Sequence, residues 1–195
     1  MSRGRVVGLV GLLALVGVAF VIGLTGTPAQ QAGSRAEALG PLRAQAALQP
    51  CPTGVSKDLP PLTLACLGGG PPVALNGTPS GVPTLVNIYG SWCGPCQKEM
   101  PLLATFSKAA AGKVALLGVD TEDEQRLALL FAKDVGQTWP AVVDDDKAVL
   151  RKYAAGPPVT LFVDAAGRVV HVKVGPFKDL RELKDLTSQY LGVRV

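Results

Sequence analysis

Charge is scarce in this 195-residue chain: Asp, Glu, Lys and Arg together supply 17% of it, against 48% hydrophobic residues. That balance excludes a disordered polyelectrolyte, and the hydrophobic fraction is too ordinary for a chain of many membrane spans. The formal charge of +4 is inflated by the first 30 residues, which hold Arg3 and Arg5 and no acid; the rest carries 17 bases against 15 acids. No Lys/Arg cluster and no aromatic-basic stripe remains to follow a phosphate backbone, so no nucleic-acid partner is expected. Other absences narrow the field further. No unit repeats at a fixed period. Gly68-Gly69-Gly70 is not followed by GK[ST] and is no phosphate loop. Asp144-Asp145-Asp146 lacks the spaced ligands and terminal Glu of a calcium loop and reads as a solvated turn. His171 is the sole histidine, in a strand-like run, and of the four cysteines only Cys93 and Cys96 form a short pair. Structural zinc sites usually combine two such pairs, so neither metal nor cofactor is expected.

One long hydrophobic run is present. Val6 to Leu24 is free of charge and proline. As a helix it would span about 28 Å at 1.5 Å per residue, close to a hydrocarbon core of about 30 Å. Arg3 and Arg5 precede it and the next charge is Arg35, a bias that leaves the short tail in the cytoplasm and the rest outside. The expectation is a single-pass cell-membrane protein with its domain on the extracytoplasmic side. The alternative is secretion after signal cleavage near Thr27-Pro28-Ala29, although the apolar run exceeds a typical signal core. Both readings export the domain. The expected division is 1–25 anchor or signal, 26–50 linker or stalk, and 51–195 folded domain with an N-terminal extension.

The stalk is rich in Ala, Gln and Gly, with a helical stretch expected from Arg35 to Gln49 and interrupted at Gly40-Pro41. Cys51 to Gly70, dense in Pro, Gly and Cys, suggests an ordered loop structure. Thr84–Tyr89 is a short apolar run suited to a buried strand. A helix is expected from near Cys93 to about Ala111, kinked at Pro101, followed by a strand over Val114–Val119. Leu127, Leu130, Phe131 and Val135 predict one face of a helix ending by Gly136. Ala141–Val143 reads as a strand, Lys147–Tyr153 as a short helix, and Val159–Val163 with Val169–Val174 as a hairpin. A last helix is expected from Lys178 to Tyr190, with Leu180, Leu183 and Tyr190 inward. Such alternation implies an α/β sheet with helices on both faces.

Ser91-Trp92-Cys93-Gly94-Pro95-Cys96 follows the first of these strands and opens a helix. A helix N-terminus offers unpaired N–H groups and partial positive charge, which favour thiolate over thiol. The thiolate is the attacking species, so Cys93 is the candidate nucleophile and Cys96, one turn on, the candidate resolving thiol. Pro95 suits a first helical turn. Trp92 is expected to pack beside the pair, and Trp139 to pack before Pro140. Cys51 and Cys66 lie ahead of this unit; an oxidising compartment would let them pair as a structural disulfide, or less simply as a second redox pair.

The segment TLVNIYGSWCGPCQKEMP resembles the active-site strand and helix of thioredoxin-like proteins, and more narrowly the TlpA/ResA-like branch; the similarity runs from about Leu59 to Val193. It implies a thioredoxin-like fold, a central mixed sheet flanked by helices, with a TlpA-type insertion. That branch comprises membrane-tethered extracytoplasmic thiol-disulfide oxidoreductases, many serving cytochrome c maturation as reductants. It implies as partners an exported protein with a disulfide or thiol pair, such as apocytochrome c, and a membrane electron-transfer partner. Two positions depart from cytoplasmic thioredoxins, which carry a buried Asp and a Lys where this chain has Asn87 and Gln97. Glu99 matches the acidic position of the branch, and a carboxylate there could hold or remove the Cys96 proton; spacing alone equally allows a solvated Glu near Lys98. Pro158 matches the cis-proline that faces the C-x-x-C. Pro157 before it has no N–H to donate, which departs from most relatives and leaves that half of the usual substrate pairing open. Electron flow could also run the other way, making a disulfide-inserting oxidant, and a tethered binding module without catalysis is the reading from another class.

Overall fold

The computed structural model describes residues 28–195. The expected membrane anchor over 1–25 lies outside them. Among the described residues no helix is long and apolar enough to cross a membrane.

The first element, α1 (Pro28–Ala46), differs from the interrupted stretch expected from Arg35. It begins earlier and continues through Gly40-Pro41. Pro41 removes one amide donor at a cost of about 3 kcal/mol in a helix interior. The turns after it are tied down: Arg43 Nε donates to Leu67 O at 3.1 Å, and Ala46 is buried. A compact unit begins at Pro41 and runs to Val195. The end of α1 therefore lies within this compact unit.

Within that unit, a two-stranded ribbon of β1 (Thr63–Leu64) and β2 (Val73–Ala74) precedes the main sheet. The sheet contains β3 (Thr84–Tyr89), β4 (Ala115–Thr121), β5 (Ala141–Asp144), β6 (Val159–Val163) and β7 (Val169–Val174). Its order is β5-β4-β3-β6-β7, with β3, β4 and β5 parallel and β6 and β7 antiparallel to their neighbours. All six residues of β3 are buried, as the centre of a sheet covered on both faces requires.

One face carries α2 (Gly94–Ala109), α3 (Gln125–Asp134) and α5 (Leu180–Leu191). Leu85, Tyr89 and Phe162 of the sheet pack there against Met100, Leu103 and Phe106 of α2 and Leu183 of α5, with Phe131 of α3 at the margin. The other face is not helical as expected. Val86, Ile88, Leu117, Val119 and Leu161 are covered mainly by Val55, Leu59, Val73 and Leu75 of the N-terminal segment, with only the single turn α4 (Leu150–Tyr153). Thus Cys51 to Gly70 is part of the core's lid. Cys66 bridges Val142, and flanking bonds from Leu67 N to Ala141 O and from Val143 N to Ala65 O cover the β5 edge.

The helix ends show why the elements stop where they do. Asp179 caps α5 by accepting from Glu182 N at 2.9 Å, and Gly192 closes it in the left-handed region at φ 68°. Asp144 accepts from the amides of Ala148, Val149 and Leu150. The Asp144-Asp145-Asp146 turn is therefore not wholly solvated: its first residue is buried and starts α4. The buried face of α3 is Ala128, Leu129 and Ala132, while Leu127 is exposed. Of the expected face, Phe131 and Val135 are partly buried against the core. Lastly, β4 runs two residues beyond the expected Val119, which draws Asp120 and Thr121 into the interior.

Candidate active site

The chain leaves β3 at Tyr89, crosses Gly90-Ser91-Trp92, and enters α2 with Cys93 as the residue before its first turn. Gly94 and Pro95 fill that turn, exposed to solvent, and Pro95 costs no hydrogen bond because its amide would have none to make. Cys93 Sγ accepts from Cys96 N at 3.2 Å, so this sulfur occupies the place of an N-cap oxygen. The two cysteines are joined as a disulfide. Cys93 retains 4% exposure and Cys96 none. Only Cys93 of the pair is thus reachable by an incoming thiol; attack there would release Cys96 as the thiolate, and the helix N-terminus favours the thiolate of Cys93 in the reduced pair.

Pro158 follows a cis peptide bond from Pro157, and Pro157 O lies 3.7 Å from Cys93 Sγ. Pro157 offers this carbonyl and no amide. Trp92 is half exposed, at 51%; its ring lies over Gly90 and its Nε1 donates to Thr121 O at 3.2 Å. A Cβ on Gly90 would stand 2.6 Å from Trp92 Nε1, so glycine is required for the ring to lie there. Gln97 closes the loop from the other side, donating to Ser91 O at 2.7 Å.

Glu99 is buried, 1% exposed, which excludes the solvated reading beside Lys98. Its Oε1 accepts from Asn87 Nδ2 at 2.8 Å and its Oε2 from Phe177 N at 2.9 Å. Asn87 Nδ2 also reaches Thr160 Oγ1 at 3.0 Å, linking β3, β6, α2 and the loop before α5. Burial holds the Glu99 carboxyl above the usual carboxylate range, only partly offset by the Phe177 and Asn87 donors and by nearby Lys173. Among the described residues Glu99 makes no hydrogen bond to Cys96, but the two stand three apart on α2 and share its inner side.

Cys51 and Cys66 are joined as a second disulfide, anchored on the β5 edge through Cys66. His171 stacks on Tyr190 at 3.9 Å, in β7 as expected of a strand residue. Trp139 is buried in the core beside the α2 side of the sheet.

Sequence reasoning passed over Asp123 and Asp120. Asp123 accepts from both Ser91 N and Ser91 Oγ, the latter at 2.9 Å, and so fixes the residue two before Cys93. Asp120 is fully buried beneath it. The available signal was the acidic run Asp120-Thr121-Glu122-Asp123 at the end of a strongly apolar strand.

A model of the Redoxin family matches residues 54–189. Among curated proteins, the chain is 33% identical over 109 residues to a thiol:disulfide interchange protein DsbE homolog of Paracoccus denitrificans, covering 55% of this chain and 56% of that one. It is 34% identical over 92 residues to the thiol-disulfide oxidoreductase ResA of Bacillus subtilis, covering 46% and 51%. The chain thus spans about half the length of the curated relatives it matches. In fold it is similar to the crystal structure of StoA from Bacillus subtilis, with TM-score 0.53 and 24% identity over 65% of this chain and 95% of that one.

Proposed function

The chain belongs to the Redoxin family, and from that membership and the geometry at Cys93 we propose that it is an extracytoplasmic thiol-disulfide oxidoreductase that reduces disulfides of exported proteins. The observation that carries this reading is the Cys93–Cys96 pair on the first turn of α2, with one sulfur accessible and capping the helix. The names of the DsbE homolog and ResA support it.

In the reduced protein the Cys93 thiolate attacks a substrate disulfide. A Cys93–substrate bond forms, the substrate S–S bond breaks, and one substrate thiolate leaves. Cys96 then loses its proton and attacks Cys93 Sγ, restoring the intramolecular disulfide and releasing the second substrate thiolate. Two electrons pass to the substrate; the Cys96 proton, taken by Glu99, and one proton from solvent end on its two sulfurs. Glu99 is the base we assign to Cys96: a carboxyl with a raised pKa is a competent acceptor near neutral pH. Pro157 supplies a carbonyl acceptor beside Cys93 for an amide of the substrate chain. Regeneration of the dithiol requires a reduced partner, which we assign to a membrane electron-transfer protein with a dithiol of its own. Apocytochrome c is the substrate the TlpA/ResA-like resemblance favours. We read residues 1–25 as the membrane anchor, the helix after it as the link to the domain, and the α3–β5 unit as the TlpA-type insertion.

The test is exchange with a disulfide-bonded peptide. Cys93→Ala abolishes reduction, and Cys96→Ala accumulates a mixed disulfide on Cys93. Reduction surviving in Cys93→Ala would refute the assignment.

A further inference from the structure

Asp120 lies on β4, in register with Tyr89 of β3, on the sheet face that α2 covers. It is wholly buried, and neither carboxyl oxygen has a hydrogen-bond donor among the described residues. An isolated buried carboxylate is costly, so the group is neutralised or paired. The groups acting on it are not cations. They are Asp123, within hydrogen-bonding reach in the loop before α3, and Asp145 after β5, with Tyr89 facing it from β3. Asp123 already uses one oxygen to accept from Ser91 N and the other to accept from Ser91 Oγ. It has acceptor capacity and nothing to donate, so a bond between the two carboxyls needs its proton on Asp120.

We propose that Asp120 is a positioning residue: it holds the proton of a carboxylic acid–carboxylate pair with Asp123, and this pair fixes the Gly90–Trp92 loop that presents Cys93. The chain of contacts is short. Asp120 donates to Asp123, Asp123 accepts twice from Ser91, and Ser91 is two residues from the nucleophile. Trp92 Nε1 on Thr121 O adds a second tie between the same loop and the same end of β4. Burial first, then the neighbouring Asp123 charge, pushes the Asp120 carboxyl up to about 9, so the proton stays in place through neutral pH. Ionisation above that pH sets two carboxylates against each other and loosens Ser91. The proposal concerns the loop of the pair assigned above, but it is read without substrate, so its failure and a failure of the exchange chemistry appear in different experiments.

The experiment is an NMR titration of the full chain in its oxidised form, with labelled Asp carboxyl carbons and backbone amides. With all four cysteines in disulfides no thiol titrates, and Tyr89 is held well above its ordinary value by burial. The expected result is an Asp120 carboxyl step near pH 9, accompanied by a shift of the Ser91 amide with the same midpoint. In Asp120→Asn, whose amide can donate to Asp123 at any pH, the Ser91 step near pH 9 disappears. Titration of Asp120 below about pH 5, in the ordinary carboxylate range, overturns the proposal. So does a step near pH 9 that leaves Ser91 unmoved. The wild-type titration decides alone if the variant does not fold.

Discussion

Glu99 on α2 and Asp120 on β4 are both buried acids, yet they are held in opposite ways. Glu99 accepts two hydrogen bonds, from Asn87 and Phe177, and remains available to ionise. Asp120 accepts none among the described residues, and burial, then the neighbouring Asp123, pushes its carboxyl up to about 9. Glu99→Gln preserves size but cannot take a proton, so reduction of a disulfide peptide at pH 7 should slow by about 10²-fold. The acid-side inflection of its pH–rate profile should vanish as well; an unchanged profile would remove Glu99 from the mechanism. For Asp120 the consequence is also thermodynamic. Its folded-state pKa is raised, so its stabilising contribution is complete below the unfolded carboxylate value near 4 and is lost as pH rises through about 9. Wild-type stability should therefore decline across that window, by up to about 1.4 kcal/mol per pH unit from this group. Asp120→Asn should show a flatter curve in urea titrations repeated at several pH values. The C-x-x-C was legible because spacing alone defines it. The environments of Glu99 and Asp120 were not, because a carboxyl's burial is decided by elements distant in sequence: Phe177 stands 78 residues from Glu99.

At the scale of elements, the active site depends on how tightly one loop and one edge are held. Gly90 has no room for a side chain beneath Trp92, so Gly90→Ala should displace the indole and break its bond to Thr121 O. Overpacking of this kind costs about 1–3 kcal/mol, and a shifted Trp92 emission with slower exchange would report it. The N-terminal segment has a comparable role on the opposite face, where its apolar residues cover the sheet and its Cys51–Cys66 disulfide fastens it to β5. A 15-residue separation corresponds to about 3 kcal/mol in the chain-entropy account. Replacing both cysteines with Ser should lower unfolding free energy by about that amount while leaving Cys93–Cys96 exchange intact; lost exchange in a folded variant would instead make this a second redox pair. The main strands were readable because buried strands are apolar runs between Pro and Gly. The lid was not, since Val55, Leu59, Val73 and Leu75 are dispersed among turn residues without a period. The run through Gly40-Pro41 was unreadable for a related reason: tertiary contacts of Arg43 and Ala46 hold turns that local propensity disfavours.

For the whole molecule, an N-terminal apolar run, a stapled N-terminal lid and a dithiol at a helix start are the features on which the proposed exported reductant rests. The near balance of 17 bases and 15 acids after residue 30 leaves little net charge to steer a partner. Direction of electron flow is set by how the protein stabilises the dithiol relative to the disulfide. The Gly-Pro dipeptide favours a reducing pair, as in thioredoxin at about −270 mV, while the neutral Asn87 and the buried Glu99 modify the surroundings of Cys96. The most direct measurement is equilibration of the full chain with defined thiol buffers, with Cys93–Cys96 read separately from Cys51–Cys66. A potential of about −250 mV or lower is the predicted result and fits a reductant fed from the cytoplasmic side. A value near about −120 mV would contradict it and make the protein a donor of disulfides.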